Sequence, residues 1–126
     1  MKIEVENTGS GWQFYQNKGN NLFRSQRKYV EAIDAFCTAV CHGNKEQQVE
    51  SFYTRALVYF ELSDFENAIA DCTAAIDVLS SIDLKGNNVH YISRIYNTRG
   101  IAYQHKNEFD KAKADFKIAA NLLINR

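Results

Sequence analysis

Not one proline occurs in the 126 residues, so the long helical patterns are interrupted by Gly, Asn and Ser instead. The clearest breaks are Cys41-His42-Gly43-Asn44 and Leu84-Lys85-Gly86-Asn87-Asn88. Gly just past an apolar periodic segment is a helix stop, because it takes the left-handed conformation cheaply. An excess of either charge is also missing: fifteen Lys and Arg balance fifteen Asp and Glu. That balance removes the whole-molecule electrostatic case for nucleic acid or an anionic membrane surface. No run of about eighteen apolar residues is present, so no transmembrane helix is expected. The opening Met1-Lys2-Ile3-Glu4-Val5-Glu6 lacks the apolar stretch of a secretory signal. What remains is the expectation of a soluble, cytoplasmic protein with one domain.

Three cysteines (Cys37, Cys41 and Cys72) do not make an even disulfide framework, and reduced thiols are expected. Cys37 and Cys41 stand about one helical turn apart, followed by His42. No second Cys/His pair supplies the other ligands of a closed tetrahedral site. The thiols read as small apolar packing residues, and no metal or cofactor is expected.

What is present is periodic. Hydrophobic residues make up 45% of the chain, enough for a packed core. From Trp12 onward, apolar and small residues recur at threes and fours, whereas period-two alternation is confined to the first few residues. The chain is predicted to be all-α with six main helices. Three segments, beginning at Tyr15, Phe52 and Tyr96, then repeat one pattern. A basic residue (Lys18, Arg55, Arg99) precedes a small one (Gly19, Ala56, Gly100), and a large apolar one follows (Leu22, Tyr59, Tyr103). An aromatic (Tyr29, Phe65, Phe109) then introduces Ala32-Phe36-Ala39, Ala68-Cys72-Ala75 and Ala112-Phe116-Ala119.

The pattern describes a helical hairpin. A small residue lets the second helix come close, and a small–large–small stripe on that helix supplies the knob. One hairpin cannot bury both faces, so hairpins stack. Ser63 with Glu66 is predicted to cap the second helix of the middle unit.

These residues resemble the tetratricopeptide repeat family over roughly residues 13 to 126. The resemblance implies a right-handed superhelical stack of three helical hairpins. The expected organisation is a flexible leader at 1–11 and a single domain at 12–126, with repeats at about 12–44, 48–85 and 88–126. Three departures stand out. The family's repeat-ending proline is absent, and the first repeat has an extra residue within Phe23–Tyr29. The spacing between Ala68 and Ala112 is also about ten residues longer than the family's period of about 34. Helices lengthened to Lys85-Gly86, restarting at Asn87 or Asn88, are expected to absorb that excess. Trp12 is expected to pack across the N-terminal edge, and Lys2–Glu6 to be free to add as a strand to something else.

No phosphate loop, nucleophile elbow or triad is visible, and His42, His90 and His105 are isolated, so an enzyme is not expected. In the family the first helices line a concave groove. Carried onto this chain, that surface includes Gln16, Asn20, Phe23, Tyr53, Thr54, Leu57, Phe60, Arg94, Asn97, Thr98 and Ile101, with Arg24 and Glu50 at further groove positions. The resemblance therefore implies a protein or peptide partner held by amides and aromatic pockets, in an adaptor or co-chaperone-like role. Co-chaperone members grip a terminal carboxylate with Lys, Asn, Asn, Lys and Arg. The matching positions here are Gln16, Asn20, Thr54, Arg94 and Thr98. Arg94 alone does not replace the missing cations, so chaperone-tail binding by that clamp is not expected. The alternative is a self-associating module or secretion-chaperone-like homodimer. It would use an apolar edge at Ile118, Leu122 and Leu123, which no polar capping helix follows in this sequence.

Overall fold

The structure is a computed structural model that describes residues 9–82 and 88–124. Six α-helices follow in order: α1 (Gly9–Asn20), α2 (Tyr29–His42), α3 (Lys45–Glu61), α4 (Phe65–Leu79), α5 (Val89–His105) and α6 (Phe109–Ile124). A π-helical turn, Asn21–Ser25, extends α1. Consecutive helices pair as three hairpins, which stack through α2 on α3 and α4 on α5.

The predicted small–large contact is present. A Cβ added to Gly19 would lie 2.5 Å from the Phe36 ring, and one added to Gly100 would lie 2.6 Å from Phe116. The middle hairpin uses Ala56 with Cys72, a larger small residue against a smaller knob, both fully buried. Ala32, Ala39, Ala68, Ala75, Ala112 and Ala119 are all buried along the same stripes. One core cluster spans hairpins two and three around Ile95, and another joins Ala32 and Phe36 to Val58 of the next hairpin.

Hairpins two and three share a second fastening. Arg55 donates from Nε and Nη2 to the two Asp71 carboxylate oxygens, each at 2.8 Å, and Arg99 meets Asp115 in the same way. Each guanidinium also lies near two rings, Phe52 and Tyr59 for Arg55, Tyr96 and Tyr103 for Arg99. The bidentate bonds to carboxylate are the main reason both arginines hold their protons above the ordinary range. Hairpin one has Lys18 and Ala35 at the corresponding positions and no such pair.

Each hairpin turns through one left-handed residue, Arg27, Ser63 or Asn107, placed two residues before the first residue of the second helix. The three turns are therefore alike. The extra residue of hairpin one is absorbed within the helix, as the π turn, rather than in the loop. The closing bond shows it: Lys28 N–H reaches Leu22 O at 2.8 Å, six residues back. The equivalent bonds, Asp64 to Tyr59 and Glu108 to Tyr103, span five.

Three expectations need correction. Helix α1 begins at Gly9, so the last residues assigned to the leader are helical; residues 1–8, including the proposed strand, lie outside the described residues. The α4 cap is Asp64, which accepts from Asn67 N–H, because Ser63 is spent on the left-handed turn and cannot form a box with Glu66. The true capping box is at α3, where Asn44 and Gln47 bond each other's backbone N–H. Helix α4 ends at Leu79 rather than near Lys85, since the Ser80 and Ser81 hydroxyls donate to the Asp77 and Val78 carbonyls and close the last turn. The restart at Val89 is near the expected place, and residues 83–87 lie outside the described residues.

Candidate functional site

The first helices α1, α3 and α5 bring most of the expected groove residues to one side of the stack, but several are consumed in holding it together. Gln16 is buried, donating from Nε2 to Thr54 Oγ1 at 3.1 Å and accepting from Ser51 Oγ at 2.7 Å. Ser51 in turn accepts from Trp12 Nε1 at 2.7 Å. This Trp12–Ser51–Gln16–Thr54 relay fastens α1 to α3 and saturates the amide that the groove was expected to offer. The five-position clamp is accordingly not assembled: two of its positions are buried and bonded to each other. Trp12 is buried against the second hairpin rather than lying across an open edge.

Tyr53 also belongs to the core. Its ring meets Tyr91 edge-on, with centroids 5.4 Å apart, and its hydroxyl lies 3.1 Å from Thr98 Oγ1. Phe23 packs on the first core cluster with Tyr29 at 5.9 Å, and the Arg24 guanidinium sits over its ring. Phe60 belongs to an aromatic cluster with Phe65 and His105, where Phe65 and His105 stack at 4.3 Å. Arg94, Asn97 and Ile101 are exposed.

A concave cavity of about 390 Å³ lies at the centre of this surface. Asn20, Tyr53, Thr54, Leu57 and Arg94 line it, as expected; Phe23, Phe60, Asn97, Thr98 and Ile101 do not. Arg24 and Glu50 join them from the wider groove set, and Arg24 supplies a second cation beside Arg94. Tyr91 was missed. It stands one helical turn before Arg94, so extending the α5 face by three residues would have found it.

Two buried polar atoms have no hydrogen-bond partner among the described residues, Asn20 Oδ1 and Tyr91 Oη, and both residues line this cavity. An unpartnered buried polar atom carries a desolvation cost that a ligand group can relieve. Burial pushes the Glu50 carboxyl above its ordinary value of 4.5. Burial first, then the Glu50 charge, pushes the Tyr91 hydroxyl up as well, so it stays protonated at neutral pH and can donate. The cavity thus presents two guanidinium groups, a phenolic donor and an amide around one carboxylate.

At the C-terminal edge, Ile118 and Leu123 are exposed, with Ile124 beside them. Leu122 instead turns inward and packs on the cluster of hairpins two and three. Among the described residues no group of three or more His, Cys, Asp or Glu is placed to hold a metal, and no helix is long and apolar enough to cross a membrane.

Residues 49–78 and 93–122 match the family model described as tetratricopeptide repeat, one match in each of hairpins two and three. Among solved structures, the chain is similar to the first TPR of Spaghetti (RPAP3) bound to the HSP90 peptide SRMEEVD, with 27% identity and a TM-score of 0.73. That match covers 99% of this chain and 87% of the other. The second TPR of the same protein, bound to the same peptide, matches at 24% identity and a TM-score of 0.73, over 90% and 94% of the two chains. BtubC (BKLC) from P. vanneervenii matches at 16% identity and a TM-score of 0.84, over 94% of this chain and 49% of the other. The fold is an all-α stack of tetratricopeptide repeats.

Proposed function

We propose that this stack of tetratricopeptide repeats is a cytoplasmic adaptor, co-chaperone-like in role, that binds an extended partner peptide and anchors one of its carboxylates in the concave cavity. The observation that carries the proposal is the pairing of Arg24 and Arg94 with two unpartnered polar atoms in one cavity. A carboxylate accepts from both guanidinium groups and from Tyr91, while peptide N–H groups suit Asn20 Oδ1. The peptide SRMEEVD, bound by the two RPAP3 domains, ends in such a group and is the first probe. Fluorescence anisotropy should show saturable binding of the labelled peptide, weakened at least tenfold by C-terminal amidation and by Arg24→Ala or Arg94→Ala. Equal binding of the acid and the amide overturns the carboxylate anchor.

A second proposal is self-association through α6, favoured by exposed Ile118, Leu123 and Ile124. On α4 the face that receives α5 carries Thr73, which accepts from Arg99, whereas α6 has Lys117 at the equivalent place. That lysine opposes a helix stacked as α5 is on α4, so the contact would have to be made by Ile118, Leu123 and Ile124. Light scattering that shows a dimer persisting on dilution supports this second proposal, and a monomer overturns it.

A further inference from the structure

In hairpins two and three a guanidinium fills the space between the paired helices, gripped by a carboxylate and flanked by two rings. Hairpin one has the same space with a different lining. Ala35 stands where Asp71 and Asp115 stand, and Leu22 replaces Tyr59 and Tyr103. Lys18, at the arginine position, is exposed and forms no ion pair among the described residues. Asp34 keeps the sixteen-residue separation from Lys18 that joins Arg55 to Asp71. The residue absorbed in the π turn, however, puts Ala35 at the inward position and leaves Asp34 exposed.

The result is a cavity of about 470 Å³ between α1 and α2, sharing no lining residue with the concave one. One aromatic wall survives in Tyr15, at the position of Phe52 and Tyr96; the His42 imidazole stacks on one face of that ring at 5.4 Å, which leaves a single face for a further group. Glu31 and Asp34 bring two carboxylates to the lining against the single ammonium of Lys18. Neither carboxylate has an ion-pair partner among the described residues.

We propose that this cavity receives an arginine side chain of a partner protein. The guanidinium is planar and weakly hydrated, stacks on an aromatic face and takes carboxylate oxygens in a fork, so it suits this lining better than the compact, strongly hydrated ammonium of lysine. The chain builds that combination internally twice. In hairpin one the carboxylates and the ring remain while the internal guanidinium is missing. An anionic group would meet two carboxylates for one ammonium, so the charge balance favours a cation.

The test is a backbone-amide NMR titration of the whole chain with N-acetylarginine methylamide, beside the norleucine and glutamate analogues. The arginine probe is expected to give saturable shifts at Tyr15, Leu22 and Thr38 that the other two do not. Glu31→Gln with Asp34→Asn should weaken it at least tenfold, and Lys18→Ala should tighten it several-fold. All three positions are exposed, so these variants keep the fold. Lys18→Arg with Ala35→Asp rebuilds the internal pair; arginine binding should vanish while SRMEEVD binding at the concave cavity is untouched, which separates the two proposals. Absence of saturable shifts, equal shifts from norleucine, glutamate binding lost with Lys18→Ala, or arginine binding that survives in the rebuilt pair would each overturn it.

Discussion

Hairpin one and hairpins two and three have the same packing skeleton and different polar fastenings. Gly19 against Phe36 repeats Gly100 against Phe116, so the close helix approach is common to both ends of the stack. The Arg–Asp fork is present only in the second and third units. Hairpin one is instead tied to its neighbour by the Trp12–Ser51–Gln16–Thr54 relay. Close packing defines the hairpin, and the ion pair is an addition that can be dropped; where it is dropped, a cavity opens.

The largest expected effect separates the units directly. Asp71→Ala or Asp115→Ala leaves a largely buried guanidinium unpaired and should cost about 3 kcal/mol, near the low end for such pairs because each arginine keeps some contact with water. Asp34→Ala, an exposed change in hairpin one, should stay within about 0.5 kcal/mol. Urea unfolding measures both, and equal losses would erase the distinction. Gly19→Ala and Gly100→Ala should each cost about 1–3 kcal/mol by overpacking, alike in the two units. Pairing Gly100→Ala with Phe116→Cys, which copies Ala56 and Cys72, should recover part of that loss.

A smaller effect concerns the seam between units. Folding raises the Glu50 pKa, so the folded state favours the proton. The contribution of that proton is fully present below 4.5 and is lost as pH rises through the raised value. Glu50→Gln should therefore stabilise the protein slightly at pH 7, with the gain gone below 4.5, and should tighten the carboxylate peptide. Thermal melts at the two pH values check the first point, and anisotropy the second. Last, a thiol reagent should label Cys37 and Cys41 in the native state and Cys72 only on unfolding. Cys72 is buried, and that burial pushes its thiol up to about 12.

The repeat pattern made the hairpins legible because close packing is written at fixed spacing: Gly19, Ala56 and Gly100 each declare their helix contacts. The polar fastenings were less so. Gln16 and Thr54 look like groove residues, since position alone does not say whether an amide finds a partner across the helix pair. Arg24 was legible as one of the wider groove positions; Tyr91 was not, because it enters the cavity from one helical turn further back on α5 than the positions carried over from the family. The Ser63 cap was misread because a residue before a helix serves either as cap or as left-handed turn, and here Asp64 took the first role.

Trp12 is the sole tryptophan, and its indole N–H is spent on Ser51 of the next hairpin. Tryptophan emission, excited selectively over the seven tyrosines, therefore reports docking of α1 on α3 and nothing further along the chain. Stacked repeats lose order from their ends inward. Emission should red-shift at lower denaturant than the loss of helical ellipticity, so two ordinary optical signals on the unmodified protein would resolve fraying of its first hairpin from melting of the remainder.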